Sequence, residues 1–257
     1  MLLAFVAVAM FTGCETVPIT GRSQLLIISN AELSAVAAGE FSKMNKVSND
    51  PRIEQIRRVG LNILTVARRD DAHGVLPPAN KWEFAIIDDK SPNAFAMPGG
   101  KIGFNVGMFP YAATDDDIAV ILGHEVAHVL SRHSSERVSQ VLLVQLGAVA
   151  VDHATKNQSA RTRQAWLTGF GLGAQFGMLL PFSRSHESEA DHLGLIFMAR
   201  AGYNPEAAPL FWRRFSNASS TKPPEFFSTH PADETRIRQL QAWMSEAKAQ
   251  ANSLSKP

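Results

Sequence analysis

The sequence predicts an α+β fold that is mainly helical, and two observations lead to this prediction. The predicted elements come in the order helices, a few short strands, then helices again, rather than in alternation of strand and helix. The chain has 257 residues, of which 45% are hydrophobic and 19% are charged. This composition is typical of a globular protein with a sizeable core. We therefore expect one large domain with a small sheet or hairpin.

Two helix-start patterns organise the first quarter of the chain. Ser29 is followed three residues later by Glu32, which is the capping-box pattern and predicts a helix over about residues 31–45. Pro51 stands at the start of a second apolar periodic segment and predicts a helix that ends near residue 68. A loop rich in glycine and proline follows this second helix.

Three short extended segments come next. Residues 82–87 have a β-like composition, and residues 94–97 and 101–106 form two further runs. Pro98-Gly99-Gly100 joins the last two runs, and such turn residues between extended runs are typical of a β-hairpin. The small sheet of the predicted fold is therefore expected here.

The remainder of the chain is predicted to be helical. Thr114 and the three aspartates after it predict a helix start, because the first turn of a helix favours anions. Apolar residues at helical spacing continue this helix through residue 129. Further helices are predicted at about residues 134–152, 162–180, 185–201, 205–216 and 231–249.

One of these segments, residues 166–182, is unusually apolar. A membrane-spanning helix needs about 20 apolar residues, and this run is shorter and contains Thr168 and Gln175. We expect a helix buried against the core. An integral membrane protein that uses this segment as a span is the alternative.

The helix after Thr114 contains His124-Glu125-Val126-Ala127-His128. Positions i and i+4 lie on one face of a helix, so His124 and His128 can both direct an imidazole at one metal ion. Glu125 is rotated by about 100° from His124 and can reach a water bound to that ion. Catalytic zinc has three protein ligands and activates a water, from which a carboxylate can accept the proton. The segment predicts the zinc site of an endopeptidase.

The third ligand is sought further along the chain. One group of zinc peptidases extends the motif with glycine and histidine, but Ser131 and Ser134 occupy those positions here. A second group uses a glutamate on a later helix, and Glu187 and Asp191 lie four residues apart on one. One of these two carboxylates can bind zinc while the other accepts a hydrogen bond from a zinc-binding histidine. His133, just over one turn beyond the motif, is expected to support the site indirectly.

These segments, together with Thr229-His230-Pro231 and Arg236, resemble a known family. They are similar to the gluzincin metallopeptidases of the HtpX and CAAX-prenyl-protease type, most closely to soluble periplasmic lipoprotein members such as LoiP and BepA. The resemblance runs from about residue 17 to 240. It implies a gluzincin metalloprotease domain that binds one Zn²⁺ per chain.

The resemblance also implies roles for individual residues. It makes Glu187, rather than Glu189, the third zinc ligand, and it makes Asp191 the partner of a zinc-binding histidine. Glu125 is the general base. His230 and Arg236 either stabilise the oxyanion of the transition state or, through His230, cap the zinc in a resting form.

A substrate-binding strand is expected beside the cleft. By the same resemblance, Asn93, Ala94, Phe95 and Ala96 form the edge strand of the small sheet. An unpaired edge strand can bind an extended peptide through main-chain hydrogen bonds, with little demand on its sequence.

The N-terminus suggests a lipid anchor. Cys14, the single cysteine, follows an apolar stretch and two small residues, which resembles a bacterial lipobox, although no Lys or Arg precedes the stretch. We predict a signal peptide over 1–13, a lipidated tether over 14–30, the peptidase domain over 31–250 and a tail over 251–257. Glu15, by resemblance, indicates an outer-membrane lipoprotein that faces the periplasm.

The functional prediction is a zinc-dependent endopeptidase that cleaves misfolded or misassembled cell-envelope proteins, and these proteins are the expected partners. The alternative is an assembly factor or holdase that binds such proteins and rarely cuts them. Nucleic-acid binding is not expected, because the net charge is +1 and no basic run is present. The oligomeric state and the cleavage preference stay open.

Overall fold

The computed structural model describes residues 14–217 and 234–254, and these residues have the mainly helical α+β architecture that the sequence predicts. The strands are β1 (Cys14–Thr16), β2 (Ser23–Leu25), β3 (Glu83–Ile87), β4 (Ala94–Met97) and β5 (Lys101–Asn105). The helices are α1 (Asn30–Lys43), α2 (Arg52–Ala67), α3 (Asp115–Leu130), α4 (His133–Ala154), α5 (Ala160–Ala174), α6 (Leu180–Arg200), α7 (Ala207–Asn217) and α8 (Glu234–Leu254). A π-helical turn, Gln175–Leu179, joins α5 to α6.

Side-chain caps start the two helices for which the sequence predicts them. The Ser29 hydroxyl accepts a hydrogen bond from the Glu32 backbone N–H at 3.2 Å, and α1 begins there. Thr114 accepts from the Asp117 N–H at 3.1 Å, and the Asp117 carboxylate accepts in return from Thr114. These bonds satisfy backbone donors that have no partner within the helix, so both starts are fixed locally.

The central sheet has the order β3-β5-β4, with β3 parallel and β4 antiparallel to β5. The predicted hairpin is confirmed, since Gly99 and Gly100 both have φ of +80° in the turn between β4 and β5. A positive φ of this size is accessible to glycine at little cost. The strand β4 forms one edge of this sheet.

Helix α3 lies at the centre of the domain and packs against α2, α6 and α7. Its crossing with α6 is very close, because Gly123 and Gly194 face one another there. A Cβ atom on Gly123 would lie only 2.8 Å from the Gly194 carbonyl oxygen. Two glycines therefore let α3 and α6 approach closely enough for side chains of the two helices to meet near the crossing.

The expectation that residues 166–182 are buried against the core is wrong. No residue of α5 or of the π-helical turn is buried, and Trp166 and Phe176 are more than 60% exposed. Helix α5 packs mainly on α4 and on the π-helical turn, so α4 and α5 form a helical hairpin. In the part of the chain that the structure describes, no helix combines the length and hydrophobicity that a bilayer crossing requires.

The segment predicted as a tether, residues 14–30, makes defined contacts with the domain. Strands β1 and β2 pair as an antiparallel ribbon, and Val17 between them is 2% exposed. The backbone N–H groups of Ile27 and Ile28 both donate to the Ser139 hydroxyl on α4. The N-terminal segment consequently lies against the helix that follows the His-Glu motif.

Candidate metal centre

Helix α3 directs both histidines of the His-Glu motif to one point. The Nε2 atoms of His124 and His128 are 3.0 Å apart. His124 is 2% exposed, and Glu125 between them is also buried. The separation of four residues therefore gives the shared face that the sequence predicts.

Glu187 reaches the same point from α6. Its Oε2 atom lies 3.3 Å from Nε2 of His124, and its Oε1 atom lies 3.4 Å from Nε2 of His128. Ligand atoms that surround zinc tetrahedrally at its usual bond lengths are about 3.3 Å apart. The two imidazole nitrogens and one carboxylate oxygen therefore match zinc both in chemistry and in spacing, and could hold the ion.

Asp191 and Arg236 support the first histidine. Asp191 Oδ1 lies 3.0 Å from Nδ1 of His124, on the side of the ring away from the other ligand atoms. Arg236 on α8 donates to both oxygens of Asp191, at 2.6 and 2.7 Å, and its guanidinium lies 4.1 Å above the Trp212 ring. Another of its nitrogens is 3.3 Å from Glu187. A buried cation is thus shared between two buried carboxylates.

These neighbours control the protonation of the site. Burial alone would lower the pKa of His124, but Asp191 and Glu187 outweigh burial and raise that pKa to about 9. Burial holds the pKa of His128 well below its ordinary value. Burial also raises the pKa of Asp191, but Arg236 and His124 outweigh that effect and lower it. In the metal-free protein at neutral pH, His124 is therefore protonated on both ring nitrogens, and His128 is neutral.

Glu125 lies between the ligand atoms and the small sheet. Its Oε2 atom accepts a hydrogen bond from the Ala96 backbone N–H at 3.1 Å. Phe95 and Ala96 line a cleft of about 640 Å³ together with Glu125 and residues of α4 and α6. Of the other two predicted strand residues, Asn93 directly precedes β4 and its carbonyl accepts from the Asn105 N–H, while Ala94 is fully buried. The edge strand, the carboxylate and the ligand atoms therefore face one cleft.

A second buried network lies behind His128, and the sequence reasoning missed most of it. His133 Nδ1 is 2.7 Å from Nδ1 of His128, and His133 Nε2 is 2.9 Å from Glu189. Arg22, from the N-terminal segment, binds Glu189 at 2.9 Å. The sequence predicts only an indirect supporting role for His133, and no spacing pattern relates Arg22 to residues more than 100 positions away.

His230 lies outside the residues that the structure describes. Cys14 is the first residue of β1. The oxyanion role of Arg236 stays a prediction, and the structure places its guanidinium among Asp191, Glu187 and Trp212.

The comparisons with known proteins agree with this geometry. Residues 54–244, about three quarters of the chain, match the family described as peptidase family M48. The chain is 33% identical to the mitochondrial metalloendopeptidase OMA1 of Schizosaccharomyces pombe over 96% of its own length and 71% of the relative's. It is 33% identical to the zebrafish (Danio rerio) metalloendopeptidase OMA1, over 96% of this chain and 53% of that one.

A bacterial relative is similar over a comparable stretch. The β-barrel assembly-enhancing protease of Escherichia coli K12 is 28% identical over 92% of this chain. The alignment covers 49% of that protein, so the chain spans about half the length of this relative and of the zebrafish one.

Proposed function

The chain belongs to peptidase family M48 and is a metalloendopeptidase, and from that premise we propose that it uses zinc to cleave misfolded or misassembled cell-envelope proteins. The observation that carries the zinc assignment is the set of distances among His124, His128 and Glu187, which lie between 3.0 and 3.4 Å. In this proposal these three residues hold one Zn²⁺ per chain. The family is metal-dependent, and a set of two imidazoles and one carboxylate is a usual catalytic zinc site.

The proposed mechanism assigns one proton-transfer residue. Zinc, when bound, polarises the scissile carbonyl and lowers the pKa of water to about 7. Glu125 accepts the proton of the attacking water on its carboxylate and passes it to the nitrogen of the leaving amine. The Ala96 N–H holds one oxygen of Glu125 in place, 3.1 Å away, which fixes the carboxylate between the strand and the ligand atoms.

The remaining polar residues orient a metal ligand or stabilise the oxyanion. Asp191 fixes the ring of His124, and Arg236 holds Asp191 from the other side. We propose in addition that His230 and Arg236 stabilise the oxyanion once substrate is bound. This part rests on the resemblance of the His-Pro segment and Arg236 to the family's motif.

The class of substrate follows from the edge strand. A chain that pairs with β4 must be extended over several residues, and a folded domain rarely offers such a segment outside its own sheets. Main-chain pairing makes little demand on sequence. Unfolded or misassembled proteins are therefore the substrates that this cleft fits best.

The envelope location has two supports. Cys14 follows an apolar stretch as the lipid-bearing cysteine of a bacterial lipoprotein does, and the Escherichia coli relative is named for β-barrel assembly. The OMA1 relatives are named as mitochondrial. We propose an outer-membrane lipoprotein that faces the periplasm, with its lipid anchor as the contact to the membrane.

The alternative function is that of an assembly factor or holdase, and Glu125→Gln separates the two. Cleavage of unfolded casein and rescue of cells that lack the gene are measured for the wild type, Glu125→Gln and the control Glu40→Gln, whose side chain is exposed. A peptidase loses cleavage and rescue together in Glu125→Gln, while the control keeps both. Rescue by a Glu125→Gln protein without cleavage would reject the proteolytic role in favour of the holdase.

A further inference from the structure

The second histidine of the metal centre has its own chain of hydrogen bonds. His128 presents Nε2 to His124 and Glu187, so a metal at that point leaves its proton on Nδ1. Nδ1 lies 2.7 Å from Nδ1 of His133. Since His128 is the donor, Nδ1 of His133 must accept, and the His133 proton is on Nε2. That Nε2–H points at Glu189, whose Oε2 is 2.9 Å away.

The carboxylate at the end of this chain is held by the N-terminal segment. Nε of Arg22 donates to Oε2 of Glu189 at 2.9 Å, and the Thr20 hydroxyl donates to Oε1. Glu189 is 7% exposed and His133 is 4% exposed. A buried carboxylate without partners would be costly, so Arg22 and Thr20 stabilise it where His133 needs an acceptor.

The His133 ring is also fixed in its plane. His186 stacks on it with a centroid distance of 4.2 Å and an interplanar angle of 13°. His186 bonds Glu136 at 2.9 Å, and Arg22 binds both oxygens of Glu136 at 2.8 and 2.9 Å. Arg22 thus joins the two carboxylates that hold the two stacked rings.

We propose that His133 and Glu189, to which Arg22 donates a hydrogen bond, position His128 as a metal ligand. Through Arg22, the N-terminal segment then contributes to the geometry of the metal centre. His124 obtains its support directly from Asp191, whereas His128 obtains it through one further imidazole. Outer partners of this kind fix the tautomer and the orientation of a ligand and raise its basicity. The inference rests on the proposed zinc site at His124, His128 and Glu187.

The test is zinc affinity, measured by competition with a chromogenic chelator, for the wild type and three variants. His133→Phe keeps a ring that can stack on His186 but removes both hydrogen bonds of the imidazole. Arg22→Ala removes the guanidinium that binds Glu189 and Glu136. Glu15→Gln is the matched control, since Glu15 belongs to the same segment but pairs with Arg132. The melting temperature of each metal-free protein shows whether the fold is intact.

We expect His133→Phe to weaken zinc binding by about 10- to 100-fold and Arg22→Ala by about 3- to 10-fold, with the metal-free melting temperature of His133→Phe close to that of the wild type. The control should stay within about twofold of the wild type. A folded His133→Phe protein with unchanged zinc affinity would overturn the inference. If the wild type itself bound no zinc, the proposed function would fail instead.

A measurement on the wild type covers the case in which the variants do not fold. Nitrogen-15 spectra of the zinc-loaded, histidine-labelled protein report which ring nitrogen carries each proton. We expect a proton on Nδ1 of His128 and on Nε2 of His133. A proton on Nδ1 of His133 would contradict the inference, because that tautomer cannot accept from His128.

Discussion

The Nδ1 atom of His124 lies 3.0 Å from Oδ1 of Asp191, and both side chains are almost completely buried. Because Arg236 binds Asp191 from the other side, the carboxylate stays charged and the imidazole donates to it. Nε2 of His124 is left facing His128 and Glu187. Asp191 thus keeps the proton on Nδ1, so loss of the Nε2 proton leaves the tautomer that a metal ligand requires.

Replacing Asp191 with asparagine tests this relationship. An amide is uncharged, and its single acceptor oxygen can face either Arg236 or His124 but not both. The ring of His124 is therefore held less firmly and becomes less basic. We expect zinc affinity to fall by about 10- to 100-fold in Asp191→Asn. Chelator competition measures the change. Asp88→Asn, at an exposed position, serves as the control, and equal affinities of the two variants would contradict the prediction.

The pH dependence of zinc binding follows from the raised pKa of His124. This pKa is about 9 in the metal-free protein, so below pH 9 zinc must displace a proton from His124. The apparent zinc affinity should therefore fall about tenfold for each unit that the pH drops below 9. The pKa of His128 is lowered well below its usual value, so His128 adds no proton competition near neutral pH.

Calorimetry in buffers of different ionisation enthalpy counts the protons released per zinc ion. At pH 7.5 the wild type should release more protons than Asp191→Asn, because the raised pKa of His124 depends on the charge of Asp191. Equal proton release by both proteins, or an affinity independent of pH between 7 and 9, would show that His124 is not protonated in the metal-free site.

The glycine contact between α3 and α6 gives a prediction about the framework of the site. A Cβ atom on Gly194 would lie 2.7 Å from the backbone nitrogen of His124, and backbone cannot move aside without shifting a helix. We expect Gly194→Ala to lower the free energy of unfolding by about 1–3 kcal/mol, as overpacking does, and to weaken zinc binding as well. Urea denaturation of the metal-free protein measures the first effect.

Gly169→Ala in α5 is the matched comparison. A Cβ atom there would meet nothing within 4 Å, so the only effect is the higher helix propensity of alanine. This variant should gain up to about 1 kcal/mol of stability. If both alanine variants were equally stable, the close packing of α3 on α6 would not be needed for the fold.

Much of the fold could be predicted because its signals are local. Ser29 and Thr114 start helices through hydrogen bonds within three residues, and the glycines at 99 and 100 need only their own backbone conformation. The ligand faces of α3 and α6 follow from helical periodicity alone. The parallel pairing of β3 with β5 was not predicted, because it depends on contacts across the fold.

The errors and omissions have one physical origin, which is long-range packing. The apolar composition of residues 166–182 favours burial, but it does not indicate which surface would cover the segment. In the structure, α5 has no buried residue. Arg22 meets Glu189 across 167 positions of sequence. No spacing rule connects such residues, so the support of His128 became visible only in the fold.

The proposed lipid anchor makes a prediction that does not depend on the metal. Cells that express the protein in the presence of radiolabelled palmitate should incorporate label into the wild type but not into Cys14→Ser, because only a thiol at that position can accept the lipid. The wild type should fractionate with the outer membrane. Equal labelling of both proteins, or wild-type protein free of label in the soluble fraction, would contradict the lipoprotein assignment.

The most direct test of the metal centre is the zinc content of purified Glu187→Ala, measured by elemental analysis together with casein cleavage. The wild type should contain one zinc per chain, and so should a control with the exposed Glu206 replaced, Glu206→Ala. Removing one of three protein ligands should leave Glu187→Ala with little zinc after dialysis against a weak chelator, and with no measurable cleavage. Full zinc occupancy in a folded Glu187→Ala protein would contradict the proposed site.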